Sequence, residues 1–425
     1  MVQELNSELR SLTSPIGTEA PDQAPPRRAA IAFIFVTVVI DVLALGVIIP
    51  VLPKLVEGFL GGDTARAAAI FGAFGFVWAL MQFICSPMLG ALSDHVGRRP
   101  VILISCLGLG LDYVFMALAP SLGWLFVGRV ISGITSASLA TAFAYIADVT
   151  PSEKRAAGFG LMGAAFGLGF VLGPALGGVL GGINPRLPFW ISAALALSNA
   201  LYGFFVLPES LSPEKRTAFS WRRANPLGSL VLLRSHPELL GLAALNMLYL
   251  LAHTVLPSVF VLYAGYRYGW DARSVGLTLA LVGVCSMIVQ GGLVRFIVPR
   301  FGERRSLQAG LLAGTIGFAA YGLAPTGTLF VLFVPVFAFM GLFGPSLQAL
   351  MTRRVQPFEQ GQLQGANASL MGIAGMFGPL LFTQVFSRAI SPRAPVHLPG
   401  APFLLAGLLL LAGAALAARV TQSTA

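Results

Sequence analysis

Charge is scarce in this chain. Only 10% of its 425 residues are Asp, Glu, Lys or Arg, against about a quarter in a soluble domain. So few charges cannot cover a surface that faces water, which excludes a soluble globular enzyme. They also exclude a disordered chain, which needs high charge and few apolar groups. Cysteine is nearly absent. Cys85, Cys106 and Cys285 sit singly inside apolar runs with no CxxC or metal-ligand spacing, so neither a disulfide scaffold nor a cysteine metal site is expected. They read as small buried side chains. Lysine occurs only at 54, 154 and 215, never after a glycine. The phosphate-cradling G-x-x-x-x-G-K-[ST] loop is therefore missing, and ATP is not hydrolysed by this chain. The four histidines form no H-E-x-x-H, and no G-x-S-x-G occurs. No catalytic residue, cofactor or metal is expected. The net charge of +10 comes from short loop clusters rather than a basic helix, so no nucleic-acid partner is expected.

Apolar residues are abundant instead. They make up 56% of the chain, close to the number that twelve spanning helices of about 20 residues each would consume. Apolar runs fall at 29–51, 67–92, 100–119, 122–146, 157–182 and 187–207. Six more fall at 239–264, 274–299, 305–324, 327–350, 363–387 and 400–419. The first run is too long for the apolar region of a signal peptide. The expected fold is an all-α membrane protein of twelve transmembrane helices in two six-helix repeats. Residues 1–28, polar and carrying Pro15, Pro21, Pro25 and Pro26, read as a flexible cytoplasmic tail. Residues 29–207 and 239–420 read as the two bundles, and 208–238 as a cytoplasmic linker. With the N-terminus inside, nineteen of the 27 basic residues fall on the inner side and seven on the outer. Inner loops carry the excess of Lys and Arg, so both termini are expected in the cytoplasm. Duplication shows in three landmarks. Gly97-Arg98-Arg99 matches Gly302-Glu303-Arg304-Arg305, Pro151 matches Pro357 and Pro174 matches Pro379, all at nearly one offset. Parallel repeats of this kind are a transporter architecture, with the substrate site at their interface.

Two of the seventeen acidic residues lie well inside helices, Asp41 and Asp112. An embedded charge costs about 2.5–3.5 kcal/mol on insertion scales and usually marks a pathway. Asp41, at mid-helix, reads as a proton- or substrate-coupling group, or else as a static partner of Arg129. Asp112 lies nearer the outer end of the third helix, within reach of water. Arg129 keeps its charge in any environment and needs an acidic or carbonyl partner. A helix shift that moved it would alter a carboxylate's proton affinity.

The loop Gly90-Ala91-Leu92-Ser93-Asp94-His95-Val96-Gly97-Arg98-Arg99-Pro100 reads as an inner gate. Asp94 is expected to accept hydrogen bonds at a neighbouring helix N-terminus, and Arg98 to pair with Asp148. Arg155 joins this inner group. In the fifth helix Gly169, Gly173, Pro174, Gly177 and Gly178 permit close helix approach with a proline kink, for packing or for gating.

These stretches resemble the major facilitator superfamily, in its drug:proton antiporter branch. GALSDHVGRRP is similar to that family's loop between helices two and three. Phe126-Val127-Gly128-Arg129-Val130-Ile131-Ser132-Gly133-Ile134 is similar to its fourth-helix motif, and GFVLGPALGG to its fifth-helix antiporter motif. Asp41-Val42-Leu43-Ala44-Leu45-Gly46, Leu111-Asp112-Tyr113, Ile146-Ala147-Asp148 and Gly378-Pro379-Leu380-Leu381-Phe382-Thr383 resemble the bacterial tetracycline/proton antiporters. The likeness spans about residues 30–415. It implies that Asp41, Asp112, Asp94 and Arg129 carry coupling and gating. It also implies a central pocket shared by both halves, for which Phe76, Gln82, Asn246, Tyr249, His253, Gln290 and Asn367 are candidates. Two positions depart from the group. Ser286 and Gly314 stand where it carries a histidine in helix eight and an aspartate in helix nine, so the C-terminal half has no embedded carboxylate.

The leading expectation is a proton-coupled exporter of amphipathic drugs, a tetracycline-like compound first, working by alternating access as a monomer in a bacterial inner membrane. Its partners would be a small-molecule substrate, protons and the lipid bilayer. The alternatives are an uptake carrier or uniporter for a native metabolite, and a non-transporting membrane receptor. Buried charge argues against the last, since a passive scaffold gains nothing from it.

Overall fold

The computed structural model describes residues 27–136, 138–150, 155–221, 225–356 and 359–421. Most of the expected tail, the landmarks Pro151 and Pro357 and the side chain of Arg155 lie outside the described residues. With no water in a bilayer core, each spanning segment must satisfy its own backbone, which makes it a helix. Twelve helical spans result, with no strand among the described residues. They are α1 (Arg27–Ile48, continued by Leu52–Phe59), α2 (Thr64–Val96), α3 (Arg98–Leu118), α4 (Leu122–Thr135 and Ser138–Val149), α5 (Arg155–Ile183) and α6 (Leu187–Val206). The second half holds α7 (Pro237–His253 and Val255–Tyr268), α8 (Ala272–Met287 through Ile288–Leu293 to Val294–Phe301), α9 (Glu303–Leu323), α10 (Gly327–Leu332 through Phe343–Thr352), α11 (Gln360–Ala389) and α12 (Ala401–Val420). Eleven are long and apolar enough to cross a membrane. The exception, α4, is built from pieces of 14 and 12 residues. It is one of four spans interrupted by turns or short 3-10 segments, the others being α1, α7 and α10. Every third helix is thus discontinuous, the pattern that lines a transport site.

Each half uses the same joints. Gly97 ends α2 and starts α3 at φ 112°, and Gly302 joins α8 to α9 at φ 80°. Only glycine takes such angles without strain. Asp63 caps α2 by accepting from the Arg66 amide at 3.0 Å, and Asp271 caps α8 by accepting from the Ser274 amide at 2.8 Å. The bonds from Ser274 hold the Asp271 carboxyl below its usual range. Along α3 the apolar residues Ile104, Leu107, Leu111 and Leu118 face outward, while Ser105, Cys106, Asp112 and Tyr113 are buried. A soluble helix shows the opposite arrangement, so the outer face is solvated by lipid.

The halves meet along two seams, α5 with α8 and α2 with α11. Both close towards the end expected outside. A Cβ added at Gly178, near the end of α5, would lie 3.0 Å from Gly276 Cα. One at Gly75 would lie 3.0 Å from Pro379, and Lys54 packs against Gly265 of α7. At the other end, Val294–Phe301 of α8 packs chiefly on its own half. The two halves are thus in close contact at one end of the seams, while at the other Val294–Phe301 stays with its own half.

Gly178→Val forces bulk into the seam, where overpacking costs about 1–3 kcal/mol. Gly182, with nothing near its Cβ position, is the control. Thermal unfolding in detergent should show a lower midpoint for Gly178→Val and none for Gly182→Val.

Candidate proton-coupling and substrate sites

Asp41 is partly buried on α1. Asn199 of α6 donates from Nδ2 to its Oδ1 at 3.0 Å and to the Thr37 carbonyl at 3.1 Å. Cys106 Sγ of α3 lies 3.7 and 3.8 Å from the two carboxylate oxygens. Three helices therefore converge on this carboxylate. Arg129, the expected partner, is not among its contacts. Its guanidinium lies 5.5 Å from the Trp78 ring centroid, and Asp112 is the carboxylate whose charge acts on it. The reason is helix order. α1 meets α4 chiefly through the inner piece Ser138–Val149, whereas Arg129 belongs to the outer piece. Asp112 also departs from expectation. It does not reach water but is 1% exposed, turned against α4, where a Cβ at Gly128 would lie 3.2 Å from its Oδ1. Neither carboxylate oxygen has a hydrogen-bond partner within 3.5 Å; the Ser132 hydroxyl lies beside it and the Arg129 charge acts on it. Buried polar groups are almost always paired, so this corner of the N-terminal half is set apart.

The inner loop forms a network around Arg98, which is 8% exposed. Its guanidinium bonds Asp94, Ser93 Oγ at 2.7 Å and Asp148 Oδ2 at 3.1 Å. The pairing of Arg98 with Asp148 is as the sequence suggested. The anion at a helix N-terminus, however, is Glu209 rather than Asp94. Glu209 accepts from the amides of Arg98 at 2.9 Å and Arg99 at 3.3 Å, the start of α3, where a negative charge is favoured. Arg99 Nη2 donates to the Phe204 carbonyl at 2.6 Å. Gly90 accepts from Ser93 Oγ at 2.7 Å. The linker docks here too, its Thr217 amide donating to the Asp94 carbonyl at 3.0 Å.

The fifth-helix glycines divide between two neighbours. Gly169 faces Val42 and Leu43, Gly173 faces Gly46 and Gly177 faces Val47, all on α1. Gly178 faces α8, and α5 runs unbroken through Pro174. The helix that carries Asp41 is thereby packed, through α5, against the other half.

In the C-terminal half, a cavity of about 350 Å³ lies between α7, α10 and α11, and an adjoining one of about 280 Å³ between α7 and α11. Asn246 and Asn367 line the first, His253 lines the second and Tyr249 lines both. Asn246 Nδ2 donates to Asn367 Oδ1 at 3.1 Å, and Asn367 Nδ2 to Gln348 Oε1 at 3.3 Å. Tyr249 stacks on Phe343 with ring centroids 4.0 Å apart. Phe76, Gln82 and Gln290 line neither of these two cavities. Phe76 packs on Phe377 in the α2–α11 seam at 5.9 Å, and Gln290 lies against Gly341 of α10. Gly314 explains the missing ninth-helix acid. A Cβ there would lie 2.6 Å from Leu410 Cδ1 and 2.7 Å from Met340 Sδ, so a side chain at this position would have to displace both.

The model of the Major Facilitator Superfamily matches residues 34–379. The chain belongs to that superfamily. Within it, the chain is 38% identical over 362 residues, 85% of its length and 91% of the relative's, to the tetracycline resistance protein, class C, of Escherichia coli. Among solved structures it is similar to the human organic anion transporter MFSD10, with a TM-score of 0.68 at 26% identity, over 92% of this chain and 100% of that one. It shares the fold of a bacterial homologue of the lysosomal transporter spinster in an inward-facing, unoccupied conformation. That match has a TM-score of 0.73 at 16% identity, over 94% of this chain and 98% of that one. The chain is a multi-pass membrane protein of the superfamily.

Asn199, Glu209 and Gln348 escaped the sequence reading. Asn199 carried a usable signal, an amide inside an apolar helix. Glu209 looked like an ordinary linker residue.

The Asp94 side chain is 39% exposed, so Asp94→Asn should cost under about 1 kcal/mol of stability. The variant should reach the membrane in normal amount yet lose transport. Immunoblotting beside a drug-accumulation assay checks this, and unchanged transport would remove the gate role.

Proposed function

We propose that this chain exports amphipathic drugs in exchange for protons, with a tetracycline-type compound as its substrate. The observation that carries the reading is the division between halves. The N-terminal half holds two carboxylates inside the bundle, one of them in the field of Arg129 and without a hydrogen bond within 3.5 Å. The C-terminal half holds a cavity walled by stacked aromatic rings and side-chain amides. Stacked rings suit a flat fused-ring substrate, and amides donate and accept without imposing a charge. The 38% identity to a tetracycline resistance protein supports the same substrate class.

In this reading the protein lies in a bacterial cytoplasmic membrane with both termini inside. Residues 29–207 and 239–420 move as two bodies on the 208–238 linker, as a monomer. The drug enters the inward-open cavity. Asp41, oriented by Asn199, exchanges the proton. The Arg98 network holds the inner loop within its own half, and the α5 glycines let α1 and α8 slide closely as the seams exchange. An uptake carrier for a native metabolite is the second reading, favoured by the absence of a carboxylate from the C-terminal cavity.

Expression in a host lacking its own pumps should raise tetracycline resistance, and an unchanged susceptibility would favour the uptake reading. Asp41→Asn keeps size and hydrogen bonding but cannot ionise. It should abolish uphill drug uptake into inverted vesicles on a pH gradient. Retained uphill transport would dismiss Asp41 as the coupling group.

A further inference from the structure

Tyr113 takes part in none of the contacts above. It is 0% exposed in α3, and its hydroxyl has no hydrogen-bond partner. Leaving such a group unpaired is costly, and phenylalanine would fill the same space without that cost. Asp112 precedes Tyr113 in α3, and Cys106, one of the contacts of Asp41, lies on the same helix.

Helix geometry shows how it comes to lie among them. Cys106 and Tyr113 are seven residues apart, so they share a face of α3 and are separated by about 10.5 Å along its axis. Side chains lean towards the helix N-terminus, which directs the Tyr113 ring from the level of Asp112 towards that of Cys106. Cys106 Sγ in turn lies 3.7 Å from Asp41. The two carboxylates therefore occupy different depths. Asp112 is six residues, about 9 Å, from the outer end of α3, and the Cys106 level lies about 9 Å deeper. From helix rise and side-chain lean alone, the ring is directed into the interval between them. The charged or titratable groups facing it are Asp41 from α1, Cys106 and Asp112 from α3, and Arg129 from α4. The adjoining α2 and α6 bring Trp78 and Asn199, which do not titrate.

We infer that Tyr113 relays the transported proton between Asp112, the outer station, and Asp41, the inner one. This rests on the proton-coupled reading above. The phenolic oxygen accepts a proton from the Asp112 carboxyl while its own O–H proton passes to the Asp41 carboxylate, directly or through one water. One O–H bond forms on the tyrosine as another breaks. Its charge is unchanged, one proton has moved inward, and no other reactant is needed. Arg129 supplies a counter-charge to Asp112 once that proton has left. Asn199 holds Asp41 in place to receive it.

The test compares wild type, Tyr113→Phe, Asp112→Asn and the double variant in inverted vesicles, reading drug uptake against pH, with thermal melts in detergent. Tyr113→Phe should melt at or above the wild-type temperature and keep its KM for tetracycline. Its proton-driven rate should fall by about a hundredfold or more, the low side of what a positioned proton-transfer group contributes, and its pH profile should shift. Since both residues serve one path, the double variant should be no slower than the slower single one. That comparison keeps its meaning even where a variant melts early. A Tyr113→Phe protein with wild-type rate and pH profile overturns the relay, as do multiplicative losses in the double variant. Wild-type vesicles that take up no drug on a pH gradient would instead overturn the functional reading.

Discussion

Placing charge where water cannot solvate it is the constraint around which this protein is arranged. In a bilayer the usual remedy is to leave charge out, and most of the chain does so. The N-terminal half keeps Asp41, Asp112 and Arg129 inside. Around them the structure offers one amide, Asn199, one thiol, Cys106, and one indole face, Trp78. Asp112 has no hydrogen-bond partner within 3.5 Å, with Ser132 its polar neighbour. Such an arrangement is poor as architecture, because a buried polar group is normally satisfied. It suits a site whose protonation changes during a cycle.

The C-terminal half takes the complementary course. Its polar groups are neutral and linked, Asn246 to Asn367 to Gln348, beside the stacked Tyr249 and Phe343. Where the resemblance places an acid, Gly314 is closed off by Leu410 and Met340. In the proposed function, protons and drug therefore use different halves. The link between them is mechanical, through α5, which packs on α1 beside Asp41 and on α8 across the seam.

Much of this was legible in the sequence because the bilayer imposes one rule on every span. Apolar length placed the helices, and the offset between Gly97 and Gly302 announced the repeat that their shared positive φ now explains. The break in α4 was not legible. There Thr135 and Ser136 turn their hydroxyls back onto the carbonyls of Ile131 and Ser132, competing with the helix ladder inside a run that reads as apolar. Helix neighbours were not legible either. Apolar periodicity is weak in a lipid-facing bundle, so nothing told that Arg129 would lie beside Asp112 rather than Asp41. For the same reason Phe76, Gln82 and Gln290 could not be separated from the residues that line the cavities. Glu209 gains its role only when the fold brings the end of α6 to the start of α3.

The separation of proton site from drug site is the central claim, and proton release on drug binding tests it most directly. Purified protein in weakly buffered detergent would receive tetracycline while the solution pH is followed. The account predicts release by the wild type and none by Asp41→Asn, which still binds the drug. It also predicts that Asn367→Leu loses drug binding yet titrates like the wild type in the absence of drug. Proton release persisting in Asp41→Asn, or an altered drug-free titration in Asn367→Leu, would contradict it.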